Sequence, residues 1–143
     1  MAIQIQYNDR LDRGRAGHIH NTELCNLFSR GVEDADGIAF GVPVTRGTNE
    51  RSITAIAVGE TVLGITCRDR SAVGTLANGF AQYEESQISD FGYIDVAVSE
   101  AVNAGDSAFF SIANQAWGAT GDIEYGIYDT STTGAGTASV RIR

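Results

Sequence analysis

Residues 137–143 read Thr-Ala-Ser-Val-Arg-Ile-Arg, and this stretch decides the fold class. Ala138, Val140 and Ile142 alternate with polar or charged residues, so an extended chain would carry one apolar face and one polar face. Successive side chains of a β-strand point to opposite faces, and a period of two is therefore typical of a strand with one buried face. The stretch predicts a half-buried β-strand.

The same alternation recurs along the chain. Further period-two sets and strand-like segments are Ile3/Ile5/Tyr7, Ile38/Phe40/Val42/Val44, Ile94/Val96/Val98, Ser52–Val58, Thr61–Cys67, Ala108–Ala113 and Asp122–Tyr128. Turn signals rich in Gly and Asn separate them, because these residues tolerate the positive φ of tight connections. This spacing predicts an all-β fold, either an antiparallel β-sandwich or a jelly-roll-like barrel. Asn21–Ser29 fits a short helix or an extended segment equally well.

The domain organisation follows from length and composition. A chain of 143 residues suits one domain with a substantial core. We predict an N-terminal strand and extended arm over residues 1–20 and a single β-sandwich or barrel domain over residues 21–143. Residues 8–20 are charged and poor in core-forming side chains, which is typical either of a flexible arm or of one that orders against a partner. No membrane span or secretory signal is recognisable, so we expect folding in the cytoplasm of the cell that makes the protein.

Charge is unevenly distributed. The net charge is −8, and all ten basic residues are Arg. Residues 1–70 carry eight Arg against nine acidic residues, whereas residues 71–143 carry two Arg against nine. The acidic balance argues against a nucleic-acid partner, because neutralising phosphates needs a basic face. Protein contacts are expected in the first half, since Arg pairs with carboxylates and is enriched at interfaces.

The candidate metal sites are weak. His18 and His20 would place both rings on one face of a strand, but two ligands rarely hold zinc and no third is evident. We interpret them as surface or interface histidines. Residues 33–37, Glu-Asp-Ala-Asp-Gly, resemble the opening of a calcium loop, yet a strand follows where further ligands are required. An acidic turn is the simpler interpretation, and we expect no metal and no cofactor.

Nucleophilic catalysis is not indicated either. The only histidines lie in the predicted arm, and no GxSxG elbow, P-loop or GxGxxG motif is present. We therefore expect a non-enzymatic protein with no catalytic residues. Cys25 and Cys67 lack ligand-like spacing and are interpreted as free thiols, although a disulfide stays open if the protein matures outside a cell. Trp117 is interpreted as a core or interface anchor rather than a sugar-stacking ring.

A series of motifs carries a family resemblance. In chain order they are Ala16-Gly17, Ser29-Arg30, Gly37-Ile-Ala-Phe-Gly-Val-Pro-Val44, Val62-Leu-Gly-Ile-Thr-Cys-Arg-Asp-Arg70, Gly92-Tyr-Ile-Asp-Val-Ala-Val98 and Ala101-Val-Asn-Ala-Gly-Asp-Ser-Ala-Phe-Phe110. Together they span roughly residues 16–143. Their order and spacing resemble the structural cement, or capsid decoration, proteins of tailed bacteriophages.

The resemblance implies a virion structural protein on the outer capsid surface. Its expected partner is a major capsid protein of the HK97-like fold, with self-association as a dimer or trimer, and neither nucleic acid nor membrane is expected as a partner. Arg10, Arg13 and Arg15 would clamp capsid carboxylates. The predicted capsid or subunit interface comprises Arg10, Arg13, Arg15, His18, His20, Arg30 and Trp117. The alternative function is a carbohydrate- or receptor-binding β-sandwich module of a phage fibre or surface protein.

Overall fold

The computed structural model describes residues 15–19, 23–69 and 78–143. Within these ranges the chain forms eleven β-strands and no helix, so no helix there could cross a membrane. The strands are β1 (Asn26–Val32), β2 (Ile38–Ala39), β3 (Pro43–Arg46), β4 (Ser52–Ala55), β5 (Gly64–Thr66), β6 (Gly79–Phe80), β7 (Glu85–Val98), β8 (Ser107–Ser111), β9 (Ala116–Gly118), β10 (Ile123–Tyr128) and β11 (Gly136–Ile142). The strand predicted at Ile3/Ile5/Tyr7 and most of the predicted arm lie outside the described residues.

Nine of these strands form one sheet that closes on itself twice. Its order is β1-β4-β3-β5-β7-β11-β10-β8-β9, and additional pairings join β1 to β7 and β7 to β9. We call β1, β4, β3, β5 and the first half of β7 the N-terminal ring. The second half of β7 with β11, β10, β8 and β9 is the C-terminal ring. The all-β prediction is confirmed, and the closed sheet corresponds to its barrel alternative.

Strand β7 belongs to both rings. It pairs with β1 and β5 over residues 85–91 and with β11 over residues 92–98. The change of partner falls at Gly92, whose φ is +111°. A Cβ at this position would lie 2.8 Å from the Cβ of Cys25, so only glycine lets the chain before β1 pass this close.

The stretch predicted as one strand around Ile38–Val44 is instead two short strands, β2 and β3. Phe40 and Gly41 form a turn between them, with Gly41 at φ +74°. The turn is fixed because Gly41 N donates to the Thr66 carbonyl and Phe40 N donates to the Asn78 carbonyl. All four apolar residues of the pattern are nevertheless buried, so the pattern was correct about burial and wrong about continuity.

The extended alternative for Asn21–Ser29 is the one found in its described part, because β1 begins at Asn26. Both cysteines are free. Cys67 N donates to the Gln87 carbonyl, whereas Cys25 lies against Gly92, so the two residues flank β7 several positions apart. A disulfide needs Cα atoms within about 7 Å, and this placement favours the free-thiol interpretation.

Candidate functional site

The two rings meet at a cleft of about 550 Å³, which we call the seam cleft. Its floor contains the buried aromatic residues Phe40 and Trp117, and its rim contains Arg15, Arg68 and Gln115. None of its described lining residues is acidic, although the chain as a whole has a net charge of −8. A basic rim over an aromatic floor is therefore a local exception to the surface charge of the molecule.

Arg15 is held at the rim by the residues that follow it. Gly17 N donates to the Asp95 carbonyl at 2.7 Å, and the Gly17 carbonyl accepts from Arg68 N at 2.7 Å. Asp95 N donates in turn to the His18 carbonyl at 3.0 Å. Gly17 and His18, which lie within the predicted arm, thus hydrogen-bond to β7 at Asp95, and Gly17 also bonds to Arg68.

This anchoring requires glycine at two facing positions. Gly17 has φ +79°, and a Cβ there would lie 2.7 Å from the backbone nitrogen of Arg68. A Cβ on Gly41 would lie 2.8 Å from the backbone nitrogen of Gly17. Contacts this short do not occur with real side chains, so both positions depend on the missing Cβ. We call this pair of glycines and its hydrogen bonds the glycine pin.

Arg68 is fixed on the opposite side of the cleft. Its guanidinium carbon lies 5.0 Å above the centre of the Phe40 ring, and one of its terminal nitrogens donates to Asn78 Oδ1 at 3.2 Å. A cation over an aromatic face is attracted by the ring quadrupole. The guanidinium therefore has a defined orientation at the cleft.

Trp117 is a core residue, which is the first of the two alternatives predicted for it. Its side chain is 1% exposed, and its ring packs edge-on against Phe110 with centroids 5.4 Å apart. The indole Nε1 donates to the Gly41 carbonyl at 2.8 Å. Trp117 therefore ties β9 of one ring to the turn before β3 of the other, and its ring is not available for stacking on a sugar at the surface.

A second surface lies along β1. Strand β4 pairs with β1 only at Gly31 and Val32, so among the described strands none covers that edge of residues 26–30. Leu24, just before β1, is 80% exposed, and Leu27 on β1 is 39% exposed. Phe91, on the paired strand β7, is 41% exposed. We call these three side chains the β1-edge patch. Exposed apolar groups next to an open strand edge are typical of protein–protein contact sites.

The predicted interface residues that the structure describes do not form one cluster. Arg15 lies at the seam cleft, and His18 is exposed beside it in the chain. Arg30 lies on β1, where its guanidinium covers the Phe28 ring at 4.8 Å and donates to the Ser29 carbonyl. Arg10, Arg13 and His20 lie outside the described residues.

Sequence analysis missed Arg68, Asn78 and the β1-edge patch. Arg68 belongs to one of the quoted family motifs, but a motif does not reveal that its guanidinium reaches the same cleft as Arg15. Leu24 and Phe91 are separated by 67 positions and meet only through the β1–β7 pairing. No local pattern could have brought them together.

The acidic segment at residues 33–37 is a turn, as predicted. Asp34 accepts a hydrogen bond from Ala55 N, and Glu33 accepts one from Thr48 N at 2.8 Å. A second bond from the Thr48 hydroxyl, which is the largest cause, lowers the pKa of the exposed Glu33 carboxyl. Within the described residues no three His, Cys, Asp or Glu side chains converge as metal ligands.

Comparison with known proteins gives a family match and a likeness to solved structures. The family model described as "Structural cement protein (E217 gp24/Pam3 gp6)" matches residues 3–143. No curated protein matches the chain. A chain in the solved structure "The capsid of Myoviridae Phage XM1" is 19% identical with a TM-score of 0.64, covering 100% of this chain and 98% of that one. At this identity the second likeness establishes the fold only.

The family match spans nearly the whole chain, including the glycine pin and the seam cleft. It agrees with the resemblance read from the motifs. The chain therefore belongs to the phage structural cement family and is a capsid-associated structural protein of the virion.

Proposed function

We propose that this protein binds the outer surface of an assembled phage capsid and stabilises the shell against internal pressure. The observation that carries the proposal is the concentration of adhesive chemistry in one half of a cement-family chain. Eight of its ten Arg lie in residues 1–70, and the β1-edge patch lies in the N-terminal ring. A shell under pressure fails at subunit seams, and a bridging protein adds buried area across each seam.

The expected partner is the major capsid protein, for which the family resemblance suggests the HK97-like fold. Synthesis in the host cytoplasm and attachment to the outside of the shell complete the proposal. Purified protein should be mixed with mature capsids that lack it. We expect saturable, stoichiometric uptake and greater resistance of the capsids to heat and osmotic shock. Uptake without any gain in resistance, or no saturable uptake, contradicts the proposal.

The arm is proposed to act as a clamp through Arg10, Arg13 and Arg15. Their guanidinium groups would pair with capsid carboxylates when the arm orders on the shell. Replacing all three with alanine should reduce capsid occupancy. Unchanged occupancy would remove the arm from the binding model. The division into an arm of residues 1–20 and a domain of residues 21–143 stays a prediction.

Self-association as a dimer or trimer is proposed to use the β1-edge patch, which offers both an open strand edge and apolar side chains. The double variant Leu24→Lys/Leu27→Lys should shift sedimentation toward the monomer. Val58→Lys is the control, since Val58 is 71% exposed in the loop between β4 and β5. If the double variant and the control sediment alike, association does not use this patch.

A further inference from the structure

We propose that the seam cleft receives an acidic segment of the capsid partner, with a carboxylate between Arg15 and Arg68. This inference rests on the proposed function, because it specifies where and by what chemistry the capsid is held.

The charge of the cleft selects the partner. No described lining residue is acidic, while both guanidinium groups and the amides of Asn78 and Gln115 lie at the rim. Carboxylates form bidentate, charge-assisted hydrogen bonds with Arg, and side-chain amides can donate to the remaining oxygens. A basic segment would lose these bonds and leave the two Arg facing like charge. An acidic segment is therefore favoured.

The cleft is preorganised. The glycine pin fixes the backbone immediately after Arg15, and the Phe40 ring supports the Arg68 guanidinium. Residues held in place before binding lose less conformational entropy when the partner arrives. The volume of about 550 Å³ also lies within the range of about 300–1,000 Å³ that is common for binding clefts.

Gln115 adds a sign of strain at the rim. Its φ is +51°, although it is not glycine, and its side-chain nitrogen donates to the Ile112 carbonyl at 2.7 Å. Non-glycine residues in this region cost free energy and are found preferentially at functional sites. Gln115 is also one of the residues that line the cleft.

The first test is charge reversal. Arg15→Glu should weaken binding to capsids that lack the cement protein by about tenfold or more, because an attraction becomes a repulsion. Arg143→Glu is the matched control, since Arg143 is an exposed Arg of the acidic half, just after β11, and does not line the cleft. It should change the half-saturation concentration by less than about twofold. The difference should shrink with added salt, which screens exposed charges.

The second test fills the cleft without changing charge. Ala97 is an exposed residue of β7 that lines the cleft, and Ala97→Trp should lower capsid occupancy at a fixed protein concentration. Ala104→Trp places the same ring in an exposed turn outside the cleft and should bind like the wild type. Equal binding by Arg15→Glu, Ala97→Trp and their controls overturns the cleft while leaving the proposed function intact.

The third test identifies the occupant. Ala97→Cys in a Cys25→Ser background can be labelled with a benzophenone maleimide, since Cys67 is buried. Photolysis on capsids followed by mass spectrometry should place the crosslink in a capsid segment rich in Asp or Glu. A crosslink into a basic segment overturns the inference. Failure of the wild-type protein itself to bind capsids overturns both the inference and the proposed function.

Discussion

The two rings share one strand and differ in what they present to their surroundings. Among the residues that the structure describes, the large exposed apolar side chains are Leu24, Leu27, Val58, Tyr83 and Phe91. All of them precede Gly92, where β7 changes partner. Residues 92–143, all of which the structure describes, contribute none, and they carry only two of the ten Arg. One half of the fold thus carries the exposed apolar groups and most of the Arg, and the other half is acidic.

Under the proposed function, adhesion and rigidity belong to different parts of the sheet. The C-terminal ring buries three large aromatic residues, Trp117, Phe110 and Tyr128. The Tyr128 hydroxyl donates to the Gly118 carbonyl at 2.8 Å and so links β10 to β9 within the ring. The N-terminal ring keeps an open strand edge and exposed apolar groups, which a lone soluble domain would normally avoid.

The largest effect on stability is expected at Trp117, whose hydrogen bond connects the two rings. Trp117→Ala should lower the free energy of unfolding by about 3–5 kcal/mol, because it empties a large buried site. It also leaves the Gly41 carbonyl without its indole donor. Urea unfolding monitored by far-UV circular dichroism measures the loss. Trp117→Phe should cost less, since it keeps most of the buried ring. A change below about 1 kcal/mol for Trp117→Ala would mean that the rings do not depend on this residue.

The glycine pin should show the next largest effect. Gly17→Ala combines an unfavourable positive φ with a backbone clash and should destabilise by about 3 kcal/mol. Gly59→Ala is a matched control, because Gly59 has φ +88° but nothing lies within 4 Å of its Cβ position. It should cost about 1 kcal/mol from backbone strain alone. Equal losses of unfolding free energy from the two variants would show that Gly17 is needed only for its φ. The close approach to Arg68 would then contribute nothing to stability.

Much of this fold could be predicted from the sequence, since alternation reports which side chains are buried. Ala138, Val140 and Ile142 are buried as their pattern indicates. Alternation does not report which strands become neighbours. The exchange of partners at Gly92 and the closure of both rings depend on contacts between distant segments, such as the 76-residue separation of Gly41 and Trp117.

The site could be predicted only in outline. The uneven distribution of Arg placed protein contacts in the first half of the chain and included Arg15. The pairing of Arg15 with Arg68 was not predictable, because it depends on a glycine pin that joins residues 17, 41, 68 and 95. The turn that splits β2 from β3 was also missed, because period-two alternation continues through Phe40 and Gly41 without a break.

The two cysteines on either side of β7 should differ in reactivity. Burial raises the pKa of the Cys67 thiol from 9.0 to about 12, with a further contribution from Cys25. A native sample treated with a thiol reagent at pH 8 should therefore label only the half-buried Cys25, and denaturation should expose the second site. Two rapidly reacting thiols in the native protein would contradict the burial of Cys67.

The same shift predicts a loss of stability in alkali. The buried thiol is stable when neutral, so its contribution is full below pH 9 and falls as the pH rises toward about 12. Burial also raises the pKa of the Tyr128 hydroxyl, which adds to the loss at the alkaline end. Urea midpoints at pH 8 and pH 10.5 measure the decline. Cys67→Ala should start from a lower stability and decline less over this interval, whereas an unchanged slope would assign the whole decline to other groups.

The smallest effect is expected on the acidic half. Glu124 lies on β10 and Asp129 follows it directly, and both residues are exposed. Their carboxylates accept no hydrogen bond from the described residues. Glu124→Gln/Asp129→Asn should change the free energy of unfolding by less than about 0.5 kcal/mol, because exposed charges contribute little. If the C-terminal ring faces solvent on the capsid, occupancy should also be unchanged within about twofold. A large change in occupancy would place the acidic ring at the shell and reverse the division of roles between the two halves. Unchanged occupancy for this double variant, together with a strong effect of Arg15→Glu, would support the division of roles. The same assay would then respond to a charge change in one half of the molecule and not in the other.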